Sequence, residues 1–105
     1  MSVYRDRFSG RTAIVTGGAS GLGLESARRI IAESGRVVLW DLNAENLEEA
    51  KEATGAEHAI ALDVSDADAV ARAARESHDL LGRIDILVAS AGITGATEAT
   101  LTIRP

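Results

Sequence analysis

Apolar and polar positions alternate between two rhythms along this chain, and the rhythm changes at glycines. Thr12-Ala13-Ile14-Val15-Thr16 is a short apolar run that predicts a strand. From Gly21 to Ser34 the apolar residues Leu22, Ala27, Ile30 and Ile31 recur at helical spacing, and Gly35 supplies a C-cap. Arg36-Val37-Val38-Leu39-Trp40-Asp41 is almost continuously apolar, as a strand covered on both faces should be. Ala44 to Thr54 predicts a surface helix, with Leu47 and Ala50 inward and a run of glutamates outward. Glu57 to Asp63 predicts a third strand. Asp66 to Leu81 predicts a third helix, resting on Ala67, Val70, Ala71, Ala74 and Leu81. Ile84 to Ser90 predicts a fourth strand, and Ile93 to Pro105 a Thr-rich loop. Phe8, at the end of a polar lead-in, is expected to tuck against the sheet.

Strands alternating with helices predict an α/β domain with a parallel sheet. The 105 residues suffice for one domain and one adequate core, with 46% hydrophobic and 26% charged residues. The formal net charge of −5 argues against nucleic acids and anionic membrane surfaces as partners, since both are bound through clustered Lys and Arg. Lacking cysteine, the chain has no disulfide framework and no thiolate site, and residues 1–8 show no signal-peptide pattern; both agree with a cytoplasmic protein. No apolar run reaches membrane-spanning length.

The candidate chemistry sits where the first strand meets the first helix. Thr16-Gly17-Gly18-Ala19-Ser20-Gly21-Leu22-Gly23 places a glycine turn before a helix N-terminus. Glycines permit close backbone approach, and the first helical turn offers unpaired N–H groups and a partial positive charge to a pyrophosphate. The Ser20 hydroxyl adds a donor. Asp41 follows Gly23 by 18 residues, near the ~20-residue offset of an acid that accepts hydrogen bonds from the adenosine ribose hydroxyls. Such a carboxylate repels a 2′-phosphate and so favours NAD over NADP. Alternatively, Asp41 caps the helix that starts near Ala44. His58 and His78 lie at polar positions with no sign of a ligand or base role.

The spacing T-G-x-x-x-G-x-G over Gly17, Gly21 and Gly23 resembles the short-chain dehydrogenase/reductase family. Two further segments strengthen the resemblance: Asp63-Val64 after the third strand, and Gly82-Arg83-Ile84-Asp85-Ile86-Leu87-Val88-Ala89-Ser90-Ala91-Gly92. The resemblance covers residues 10 to 95. It implies a Rossmann-like, doubly wound parallel sheet of strand order 3-2-1-4, ending after the fourth strand, with residues 1–105 as the dinucleotide-binding half of a single domain. It implies NAD as cofactor, a small-molecule alcohol or ketone as substrate, and a homo-oligomer. Gly17, Ser20, Gly21, Leu22 and Gly23 would then cradle the pyrophosphate, and Asp41 and Leu42 would border the ribose. Asp63 and Val64 would flank the adenine, while Ser90, Ala91 and Gly92 leave room for the cofactor. Ser65 or Asp66 capping the next helix is the competing role for the Asp63 segment.

The chain departs from the family at Ala89-Ser90, where relatives carry two asparagines, and a small loss of sheet stability is expected there. The Ser and the Tyr-x-x-x-Lys pair that move protons in this family are not found in the 105 residues; Tyr4 is followed four residues on by Phe8. No catalytic residue is therefore assigned. A sheet ending at Ile84–Ser90 would expose an apolar edge, so the expectation is the cofactor half of a longer oxidoreductase. Two other readings are a short non-catalytic nucleotide-binding module acting by association and another Rossmann-type enzyme such as a methyltransferase. The glycine spacing and Ala91-Gly92 weigh against the last of these.

Overall fold

The structure is a computed structural model that describes residues 8–19, 21–90 and 99–103, with side chains described from 8 to 19 and 21 to 89. β1 (Thr12–Thr16) leads into α1 (Gly21–Ala32), then β2 (Arg36–Asp41), α2 (Ala44–Thr54), β3 (His58–Ala61), α3 (Ala67–Leu81), β4 (Ile86–Ser90) and β5 (Ala99–Ile103). The sheet order is β3-β2-β1-β4-β5. β1 pairs in parallel with β2 and β4, and β2 with β3, which is the 3-2-1-4 order implied by the sequence.

The parallel part of the sheet ends at the fourth strand as expected, but β4 is not its outer edge. Ala99–Ile103, within the stretch expected as a loop, pairs antiparallel with β4, from Ile86↔Ile103 to Ser90↔Ala99. Chain length accounts for the direction. Only eight residues separate Ser90 from Ala99, and a parallel crossover needs about a dozen or more.

Strand alternation sends side chains to two cores. On one face, Ala13, Val15, Val37, Leu39, Ile86 and Val88 pack with Ala27 and Ile30 of α1 and Leu47 and Ala50 of α2; Phe8 leans on this cluster. On the other, Ile14, Val38, Trp40 and Leu62 meet Ala73 and Leu81 of α3. Ser77 of α3 is fully buried and accepts a hydrogen bond of 3.1 Å from Trp40 Nε1. That bond fixes the rotation of α3. Its inward stripe runs through Val70, Ala73, Ala74, Ser77 and Leu81, whereas Ala67 and Ala71, expected inward, face solvent.

Several boundaries differ from the expected ones for local reasons. α1 ends at Ala32, because Ser34 N–H donates to the Ile31 carbonyl and Gly35 N–H to that of Ile30. This is a Schellman termination whose left-handed residue is Ser34, at φ 73°, rather than Gly35. β3 is shorter than Glu57–Asp63, since Asp63 is drawn into a turn with Ser65. β4 starts at Ile86 because Asp85 is committed to a polar cluster. Asp85 N–H donates to Thr12 C=O, and its buried carboxylate accepts from Thr12 N–H at 3.1 Å and from the Arg83 guanidinium.

Two stability predictions follow from these local structures. An L-residue with positive φ is disfavoured by about 1 kcal/mol relative to glycine, so Ser34→Gly should stabilise the fold by about that amount in urea unfolding. The Arg83 guanidinium, with help from Thr12, holds the Asp85 carboxyl below the usual carboxylate range against the opposing effect of burial. A depressed folded-state value gives stability that is complete above the unfolded pKa, about 4, and lost as pH falls through the folded one. Asp85→Asn should therefore be less stable than wild type at pH 7, with the difference shrinking below about pH 4 in pH-dependent urea melts.

Candidate nucleotide site

The C-terminal ends of the parallel strands lie side by side, and every expected site residue within the described part of the chain lies at one of them. Thr16 is in register with Trp40 on one side and Ala89 on the other, and Asp41 with Ala61. Gly17, Asp41, Leu62 and Ser90 thus follow or end neighbouring strands. Ser20, Ala91 and Gly92 lie outside the described residues, as does the side chain of Ser90.

Gly17 and Gly21 take φ values of 66° and 61°, the left-handed region in which glycine escapes the Cβ clash. Gly23 is glycine for a different reason. A Cβ built there would lie 2.1 Å from the Gly17 carbonyl oxygen and 2.7 Å from its carbon. The first turn of α1 is thus pressed directly onto the turn after β1. Leu22 is exposed, outside the core in which its spacing would place it.

Asp41 receives the turn. Its Oδ2 accepts a hydrogen bond from Ala19 N–H at 3.0 Å, and its Oδ1 accepts from Asn43 N–H at 3.1 Å. Gly18 N–H adds a bond of 3.1 Å to the Trp40 carbonyl. The N-cap of α2 is Asn43, whose side chain accepts from Asn46 N–H at 3.0 Å; Asp41 stands just before it as a brace. Leu42 is 73% exposed, a side chain with no core to enter.

Asp63 is exposed, and its Oδ1 accepts from both Ser65 N–H at 2.9 Å and Ser65 Oγ at 2.7 Å. The Ser65 hydroxyl, then its N–H, hold the Asp63 carboxyl below its ordinary range, so it is an acceptor at neutral pH. Capping of α3 falls to Asp66, which accepts from Asp68 N–H and Ala69 N–H. Val64, beside Asp63, is 57% exposed. His58 pairs with Glu76 at 2.6 Å and His78 is exposed, both away from this edge.

The arrangement suits a dinucleotide phosphate: a glycine turn packed backbone to backbone on the start of α1, a helix N-terminus beside it, and two carboxylates with further lone pairs just after neighbouring strands. Ala19 and Asn43 were not legible as contributors. Ala19 acts through its peptide N–H, which leaves no side-chain signature.

A model described as short chain dehydrogenase matches residues 11–103. The chain is 60% identical over 97 residues to the 2-dehydro-3-deoxy-L-rhamnonate dehydrogenase (NAD(+)) of Sphingomonas sp. (strain SKA58), covering 92% of this chain and 39% of that protein. Among solved structures, a short chain dehydrogenase from Mycobacterium smegmatis matches with a TM-score of 0.82 at 28% identity, over 90% of this chain and 42% of that one. An NAD+-bound xylitol dehydrogenase matches with a TM-score of 0.73 at 32% identity, over 77% of this chain and 33% of that one. The chain therefore spans less than half the length of these relatives.

The two glycines nearest the helix start make a paired prediction. A Cβ at Gly21 meets nothing within 4 Å, so Gly21→Ala costs only the positive-φ penalty, about 1–2 kcal/mol. Gly23→Ala must push α1 off the turn, so urea unfolding should show a clearly larger loss than for Gly21→Ala.

Proposed function

This chain belongs to the short-chain dehydrogenase family, and we propose that its 105 residues are the NAD(H)-binding portion of an oxidoreductase interconverting a small-molecule alcohol and its ketone. The observation that carries the reading is the glycine turn between β1 and α1, in which Gly17 and Gly21 take left-handed φ values and Gly23 lies directly on the Gly17 carbonyl, so that backbone and not side chain borders the helix N-terminus. Gly17, Ser20, Gly21, Leu22 and Gly23 would hold the pyrophosphate. Asp41 and Leu42 would hold the adenosine ribose, Asp63 and Val64 the adenine, and Ser90, Ala91 and Gly92 would border the remainder of the cofactor. NAD, when bound, supplies the hydride acceptor.

NAD rather than NADP is supported by the Asp41 carboxylate, which repels a 2′-phosphate, and by the NAD(+) in the name of the Sphingomonas relative. Arg36 cannot compensate, because it sits at the opposite end of β2, bound to Glu57 and to the carbonyls of Leu80 and Leu81. Proton transfer to the substrate oxygen needs the family's Tyr, Lys and Ser, none of which the resemblance assigns to these residues. The 105 residues alone are therefore expected to bind cofactor without turnover, and the whole protein to work as a cytoplasmic homo-oligomer. No helix among the described residues is long and apolar enough to cross a membrane.

Titration with NADH and NADPH, followed by cofactor fluorescence, tests the reading. NADH should bind tighter by on the order of tenfold or more, because placing a phosphate beside a carboxylate costs several kcal/mol. Equal affinities would remove Asp41 from the ribose site. Failure to bind either cofactor would remove the nucleotide function from this chain.

A further inference from the structure

We propose that Asp41 is also the positioning residue of the glycine turn, so that one carboxylate sets both phosphate and ribose recognition. The inference rests on the nucleotide reading above for its ligand, and on the chain's own hydrogen bonds for its geometry. Asp41 joins three segments at once. Its Oδ2 accepts from Ala19 N–H at 3.0 Å, across 22 residues of sequence, and its Oδ1 accepts from Asn43 N–H at 3.1 Å at the entry to α2. Its main-chain carbonyl accepts from Leu62 N–H at 2.9 Å at the end of β3.

The turn has two successive N–H groups directed at the end of β2, Gly18 to the Trp40 carbonyl and Ala19 to the Asp41 carboxylate. Those bonds set how the turn lies, and Gly17 within it is the surface on which Gly23 and the first turn of α1 rest. The direction of the phosphate-facing N–H groups therefore depends on the carboxylate. A hydrogen bond to a charged acceptor is about twice as strong as a neutral one, and each carboxylate oxygen has two lone pairs. One acceptor position per oxygen is taken by the protein, and one remains for each ribose hydroxyl. Replacing Asp41 to admit a 2′-phosphate would thus release the Ala19 N–H and loosen the phosphate cradle as well.

An NADH analogue with a 2′,3′-dideoxy adenosine ribose separates the two roles, because it keeps the pyrophosphate and lacks the hydroxyls. The experiment measures binding of NADH and of this analogue to the full chain and its variants, with amide hydrogen exchange at Ala19 in the free protein. Asp41→Ala should weaken the dideoxy analogue about threefold or more and speed Ala19 exchange at least as much. Asp41→Asn keeps one oxygen for Ala19 but turns its amide NH2 toward Asn43 N–H, so it should recover only part of both losses while still binding NADH more weakly than wild type. Asp41→Ala that leaves dideoxy affinity and Ala19 exchange unchanged would overturn the proposal. Wild type that binds neither ligand would overturn the nucleotide reading and the ligand half of this one, while Ala19 exchange still decides the clasp. Wild type that binds both ligands equally would overturn only the ribose role.

Discussion

The arrangement depends on two backbones lying closer than any side chain allows. With no Cβ at Gly23, α1 begins flush against the carbonyl of Gly17, and the rest of the helix inherits that height above the sheet. Ala27 and Ile30, one and two turns further on, then reach Val15, Val37 and Leu39 without a gap, and the larger core cluster closes. Raising the helix start by one methyl radius would open that interface, where dispersion contacts decay steeply with separation. The same approach fixes where the N-terminus of α1 sits against the turn after β1.

The two ends of the parallel strands are treated in opposite ways. At the N-terminal end the polar groups satisfy one another: Thr12 with Asp85 and Arg83, and Arg36 with Glu57 and with the last carbonyls of α3. At the C-terminal end, Leu22, Leu42 and Val64 are exposed, and Asp63 meets only the turn that follows it. Side-chain hydrogen bonds and ion pairs tie neighbouring elements together at the first end, while the second presents apolar side chains and the acceptor oxygens of Asp41 and Asp63. In open α/β sheets ligands bind outside the carboxyl ends of the strands, and this is the end at which the glycine turn, Asp41 and Asp63 lie.

The strands were legible because the two central ones, β1 and β2, are buried on both faces and read as nearly unbroken apolar runs, and the helices because glycines punctuate them. α3 shows where this fails. Its alanines at 67, 71, 73 and 74 carry almost equal weight in an apolar pattern, and the residue that chooses among the possible faces is Ser77, a polar side chain that such a pattern discards. Ser34 has no sequence signature of its left-handed conformation for a related reason, since the adjacent Gly35 carries the pattern of a helix stop. β5 was hidden by composition, because threonines read as loop until a neighbouring edge offers them a ladder. Of the site, the glycines and acids were readable as residue types. The link between Ala19 and Asp41 was not, since one partner is a peptide group.

The Ala89-Ser90 pair shows how the fold absorbs a departure from its family. An asparagine there would tie the central sheet through its side chain, and Ala89 has none to offer. β4 is nevertheless paired along its length on both sides, with Ala89 in register between Thr16 and Thr100. Its main-chain groups therefore have partners, and the lost side chain leaves no orphaned ladder group behind. Beside it, the Thr16 hydroxyl donates to the Val88 carbonyl at 3.4 Å, a side-chain bond across the β1–β4 seam. Part of the cross-strand tie is thereby supplied from the opposite strand, immediately below the glycine turn. The turn stands on this seam as well as on β2, and the seam is carried by main-chain ladders on both sides of β4.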